Sequence, residues 1–141
     1  MKTAEKTVIT VKNIINDPIK KVWEYWTTPE HITRWNNASD DWHTPWAKND
    51  LRVGGRFTAR MEARDGSMGF DFGGTYDDVK TNEYLSYTID DGRKVEVTFN
   101  AQGDTTTVTE NFEAEDTHSI EMQQGGWQAI LDSFKKYTEA N

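Results

Sequence analysis

The sequence has 141 residues, no cysteine and a net charge of −8, which excludes disulfides, thiolate metal sites and cysteine nucleophiles. That length fits one domain, 1–141, large enough to bury a core without covalent staples. No apolar run approaches the ~20 residues that span a bilayer, and "MKTAEKTVITVKN" lacks the apolar centre of a signal peptide, so a soluble cytoplasmic protein is expected.

Charge is uneven: ten Lys/Arg against seven Asp/Glu over 1–60, then six against seventeen over 61–141. The basic residues are scattered, never denser than pairs such as Lys20–Lys21, so no footprint for a nucleic acid is present. The acidic half reads as solvated strand faces that keep the protein soluble.

"KTVITVKNII" alternates, with Ile9, Val11 and Ile15 on one side and Thr10 and Lys12 on the other, and predicts a strand. "NDPIKKVWEYWTT" changes period. Ile19, Val22, Trp23 and Trp26 fall at i, i+3, i+4 and i+7, with Asp17 as a cap and Pro18 in the first turn. "TPEHITRW" predicts a second short helix, with Thr28 as cap and Ile32 and Trp35 on one face. The polar segment that follows reads as a loop, yet it holds Trp42 and Trp46.

Period two then governs some sixty residues. One face carries Phe57, Ala59, Met61 and Ala63, then Phe70, Phe72 and Tyr76, then Leu85, Tyr87 and Ile89, then Val95, Val97 and Phe99, then Val108, Phe112 and Ala114. Turn signals at Asp65–Gly66, Asp91–Gly92 and Gly103–Asp104 separate these runs and imply an antiparallel meander with one wet side. The last segment returns to helical spacing through Ile120, Trp127, Ile130, Leu131, Phe134 and Tyr137, with Lys135 and Lys136 toward its C-terminal end. This long helix is the available cover for the apolar face of the sheet.

Two features stand out. Gly125–Gly126 lies within the terminal helix, where it predicts a kink, a helix start at Gly126, or space between helix and sheet. The inward sheet face is unusually aromatic, which fits either a tight core or a partly open cavity oriented by Tyr hydroxyls. No motif for a phosphate, dinucleotide or metalloprotease site occurs, and no cofactor is implied. Asp40, Asp41 and His43 could approach a metal, but such a loop cluster is read as solvated, with no metal site. His31 and His118 lie outside any catalytic pattern, and Glu121 complements a helix start.

The words "DPIKKVWEYWTTPEHITRW", "DLRVGGRFTARM", "DGSMGFDFGGTYDDV", "YLSYTI" and "GGWQAILDSFKKY", in that order, resemble the SRPBCC (START/Bet v 1-like) superfamily. Within it they are most similar to the branch of the activator of Hsp90 ATPase C-terminal domain. The resemblance implies an α+β helix-grip fold: a curved antiparallel sheet of about seven strands around a long C-terminal helix, with two short helices after the first strand. It also implies a cavity between sheet and helix for an apolar or amphipathic small molecule, lipid-like or polyketide-like. Trp26, Trp35, Trp46, Phe57, Met61, Phe70, Phe72, Tyr76, Tyr87, Met122, Trp127 and Ile130 would line that cavity or its mouth. Trp46, behind Pro45, would act as a lid, Trp35 would complete a core stripe with Ile32, and Trp42 is the hardest to bury.

Two other functions follow from the same resemblance. One is a protein-interaction module of the Hsp90-activator type, with Trp35, Trp42 and Trp46 as a hot spot. In eukaryotic co-chaperones of that branch an N-terminal domain, which this sequence does not contain, accompanies the module; stimulation of an Hsp90 ATPase is therefore the lesser expectation. The other is a cyclase or hydrolase, which needs an acid or base inside the cavity, where the inward positions above offer only Tyr.

Overall fold

A computed structural model describes residues 7–141; Lys6, which opens the first predicted strand segment, lies outside them. Among the described residues there are eight strands and three helices, which follow the predicted order except for two short strands in the expected loop. β1 (Val8–Ile15) leads into α1 (Ile19–Thr27) and α2 (Pro29–Trp35). Then come β2 (Trp42–His43), β3 (Ala47–Asn49), β4 (Arg56–Ala63), β5 (Gly69–Lys80), β6 (Tyr84–Ile89), β7 (Lys94–Gln102), β8 (Thr105–Glu113) and α3 (Ile120–Ala140).

The strands form one antiparallel sheet in the order β1-β8-β7-β6-β5-β4-β2, with β3 also pairing β4. β1 adds beside the last strand, Val8 opposite Glu113 and Ile15 opposite Thr106, so the first and last strands meet across the whole sequence. Short β turns produce the meander. At Asp91–Gly92, Gly92 adopts φ +96°, a conformation that costs a side chain but not glycine.

Three local expectations change. The Trp-rich segment read as a loop supplies two short strands, β2 and β3, because β4 presents a free edge along Phe57–Ala63 that they can hydrogen-bond. The residue capping α1 is Pro18, not Asp17; the Asp17 carboxylate instead pairs with Lys21 at 3.2 Å. Ile120 belongs to the predicted helical stripe but is exposed, because it stands at the helix start beyond the sheet. Ser119 caps that start by accepting from the Met122 N–H at 3.1 Å. The helix runs on to Ala140, so Lys135 lies short of its end and pairs with Glu139 at 2.7 Å.

α3 packs chiefly along β1, and α1 and α2 close one end. The core between them holds Ile15, Val22, Leu85, Val97, Val108, Phe112, Leu131 and Phe134, all essentially inaccessible. Trp127 stacks on Phe112 with ring centroids 3.9 Å apart. Because the helix leans on the β1–β8 side, the facing surface of β4, β5 and β6 is left without a helical cover.

The helix is continuous through Gly125 and Gly126 and starts at Ile120 rather than at Gly126. A Cβ added at either position would meet no atom within 4 Å. Gly125→Ala and Gly126→Ala should therefore each raise stability by about 0.5–1 kcal/mol through helix propensity alone. Urea midpoints check this; a loss of stability would mean that the space is needed.

Candidate functional site

The surface that α3 leaves uncovered forms a pocket of about 310 Å³. Its floor comes from the sheet, where strand alternation turns Phe57, Ala59 and Met61 of β4, Phe70, Phe72 and Tyr76 of β5, and Leu85 and Tyr87 of β6 to one side. Trp26 of α1 and Ile32 and Trp35 of α2 close one end, and Trp127 and Ile130 of α3 form the far wall. Ring packing stiffens the floor: Phe57 lies 4.7 Å from Tyr87 edge-to-face and 5.3 Å from Tyr76. Trp26 stacks on Trp35 at 4.9 Å.

Two of the residues expected here are elsewhere. Trp46 does not line the pocket: it is 41% exposed and lies 5.6 Å from the Lys48 ammonium. Its neighbours Ala47 and Lys48 take the lining positions instead. Met122 is 65% exposed and belongs to a second, more polar depression with Glu115, His118 and Gly126, because the first turn of α3 projects beyond the sheet. Phe70 lines the pocket yet remains 48% exposed, which puts it at the rim, in contact with the Trp42 ring at 6.0 Å.

Polar groups are few. The Tyr76 hydroxyl donates to Asn49 Oδ1 at 2.7 Å, and Asn49 Nδ2 donates to the Thr27 carbonyl at 2.7 Å, so Asn49 ties the pocket to the end of α1. Burial raises the Tyr76 phenol and keeps it neutral. Tyr87 is likewise raised, by burial first and then by the nearby carboxyl of Glu110. Arg93 lines one edge, engaged with Asp91 at 2.8 Å.

Glu110 is the residue that sequence reasoning passed over. It sits on β8 between Thr106, Val108 and Phe112, all inward, and opposite Val11 of β1 and Val97 of β7. The strict alternation of that strand was the available signal, and it places a carboxyl on the inward face. Glu110 is 5% exposed, lines the pocket, and has no hydrogen bond or ion pair among the described residues. Burial pushes its pKa up to about 8. The inward face thus offers an acid as well as the Tyr hydroxyls expected there.

The histidines stay outside the pocket. His31 stacks on Tyr25 at 3.9 Å and shares a 2.7 Å hydrogen bond with the Tyr137 hydroxyl. His43 lies 3.7 Å from Glu62 on the edge of the sheet, and His118 contacts Glu115 at 3.0 Å before α3.

A curved antiparallel sheet gripping a long C-terminal helix, with an aromatic pocket between them and two small helices at one end, defines a START-like α+β protein. The family model described as "Activator of Hsp90 ATPase homolog 1-like protein" matches residues 16–139, and the chain belongs to that family, within the SRPBCC superfamily. Among solved structures, the AHSA1-like protein from Aeromonas hydrophila is 48% identical, with 95% of this chain and 93% of that chain covered and a TM-score of 0.89. A protein from Cytophaga hutchinsonii is 57% identical over 94% and 92% of the two chains, with a TM-score of 0.81. A protein from Nitrosomonas europaea shares the fold at 18% identity, with 94% of each chain covered and a TM-score of 0.81. No curated protein matches the chain. The family is compatible with small-molecule or protein binding, and among the described residues no helix is long and apolar enough to cross a membrane.

Proposed function

We propose that the protein binds an amphipathic small molecule in the pocket between α3 and strands β4–β6. The observation that carries this reading is a half-enclosed space of about 310 Å³ walled by aromatic rings, with a small set of buried polar groups at its floor. Ligand sites combine these properties, and this volume lies at the small end of their range of roughly 300–1,000 Å³. The fit is therefore to one or two rings with a short polar arm, rather than to a sterol or a long acyl chain. Apolar burial at about 25 cal/mol per Å² would supply affinity, and the buried polar groups would supply orientation. Tyr76 is held rigid by Asn49, whereas the Tyr87 hydroxyl has no hydrogen-bond partner among the described residues and is free to meet a guest.

Trp26, Trp35 and Trp127 line the pocket, so a bound ligand should quench Trp fluorescence saturably. At a hundred times its Kd it should add about 2.7 kcal/mol to stability and raise Tm by several degrees. Ala59→Leu, which projects methyl groups from the centre of the floor, should weaken binding at least tenfold while the fold is retained. A metabolite library of one- and two-ring compounds that gives neither quenching nor a Tm shift would overturn the reading.

A further inference from the structure

Glu110 raises a specific question. Buried carboxyls are ordinarily hydrogen-bonded or paired, since an unpaired one costs several kcal/mol to ionise away from water. This one lines a pocket and has no hydrogen bond or ion pair among the described residues, its nearby polar neighbour being the Tyr87 phenol. Its strand neighbours Val11 and Val97 are apolar and supply none. From α3 come Trp127 and Ile130, neither of which titrates. From β5 and β6 come the hydroxyls of Tyr76 and Tyr87, the first already committed to Asn49. The two cations at the pocket are occupied elsewhere, Lys48 over the Trp46 ring and Arg93 with Asp91. The carboxyl is thus complementary to a positive charge, which none of the described residues pairs with it.

The walls point the same way. The faces of Phe, Tyr and Trp rings attract cations, more so where water is excluded. The pocket that Glu110 lines also offers such rings from Phe57, Phe72, Tyr87 and Trp127. A chain carrying −8 overall also raises the local concentration of cationic ligands.

We propose that the pocket takes a primary amine carried on one or two rings, its ammonium against the Glu110 carboxylate and its ring among Phe57, Phe72, Tyr87 and Trp127. This rests on the small-molecule reading above and names the ligand class of that site. Glu110 rests protonated at neutral pH in the empty pocket, so the arriving ammonium displaces its proton to solvent. Binding an amine therefore releases close to one proton at pH 7, and affinity rises with pH until about pH 8.

Isothermal titration with three probes of one ring system tests this: 1-naphthylmethylamine, 1-naphthalenemethanol and 1-naphthoic acid, at pH 7 in buffers of different ionisation enthalpy. The amine should bind at least tenfold tighter than the alcohol or the acid and release close to one proton. In Glu110→Gln the amine should fall to within threefold of the alcohol measured on the same variant, with no proton release. Glu110→Met, apolar and of similar length, should behave alike and covers the case in which the Gln variant folds poorly. An alcohol or acid that equals the amine in the wild type overturns the amine assignment and leaves the pocket reading standing. So does an amine preference that survives in both variants. If none of the three probes binds, the amine assignment falls, and the pocket reading is then judged by the library screen.

Discussion

Phe134→Ala should cost about 3–5 kcal/mol, the range for truncating a fully buried Phe in a packed core. Phe134 is 0% exposed and sits where three helices meet. Its ring takes the edge of Trp26 at 4.8 Å and 73°, and of Trp35 at 5.0 Å and 81°. Removing it opens a cavity beneath the end of the pocket and loosens α3 against α1 and α2. Domains of this kind are stable by about 5–15 kcal/mol, so such a loss leaves a marginal fold. Urea unfolding gives the value from the shift in midpoint at constant slope. Phe70→Ala, at the exposed rim, should cost under about 1.5 kcal/mol, because about half of the side chain never leaves water. Equal losses at the two positions would contradict this account of the core.

The second large effect is a dependence of stability on pH that belongs to Glu110. In the unfolded chain its carboxyl titrates near the ordinary glutamate value of 4.5; in the folded protein burial pushes it to about 8. The folded state therefore holds one more proton between those values, and stability falls as pH rises. The contribution is fully present below about pH 4.5 and is lost as pH passes through about 8. The slope is at most about 1.4 kcal/mol per pH unit, and the total roughly 2–5 kcal/mol once some relaxation of the pocket is allowed. Glu110→Gln lacks the titration, so its advantage over the wild type should grow from pH 4.5 to 8 and then level off. Asp90 and Glu115, held low by Arg56 and by the His118 N–H, act in the opposite direction but are common to both proteins and cancel in the difference. Urea midpoints for the two proteins between pH 4 and 9 measure it; a difference that stays flat would show that Glu110 is solvated.

Much of the fold was legible because each element writes its own period. Ile19, Val22, Trp23 and Trp26 mark α1, the run from Phe57 to Phe112 alternates with glycine turns between its segments, and Leu131 and Phe134 mark α3. The site was legible in its walls for the same reason: Phe57, Phe72, Tyr76 and Tyr87 share a face by alternation alone. Glu110 was equally on that face. Its charge hid it there: a carboxyl at an inward position adds nothing to an apolar alternation, so the period alone does not mark it.

The three tryptophans after α2 mark the limit of that local signal. Trp35 is buried and its indole N–H donates to the Tyr25 carbonyl at 2.8 Å. Trp42 is half-buried on an edge strand against Phe70, and Trp46 faces solvent. Period and composition could say that all three are costly to expose, but their segment is too short and too polar to set a face of its own. Their positions were decided by the free edge of β4, which recruits β2 and β3 and so orients each ring. The pocket was decided in the same way. Alternation and helical spacing fix an apolar sheet face and an apolar helix, whereas the lean of that helix toward β1 arises from packing across the fold. That lean leaves the β4–β6 side open around Glu110, because whether a face is filled or vacant depends on what packs across from it, and no local period records that.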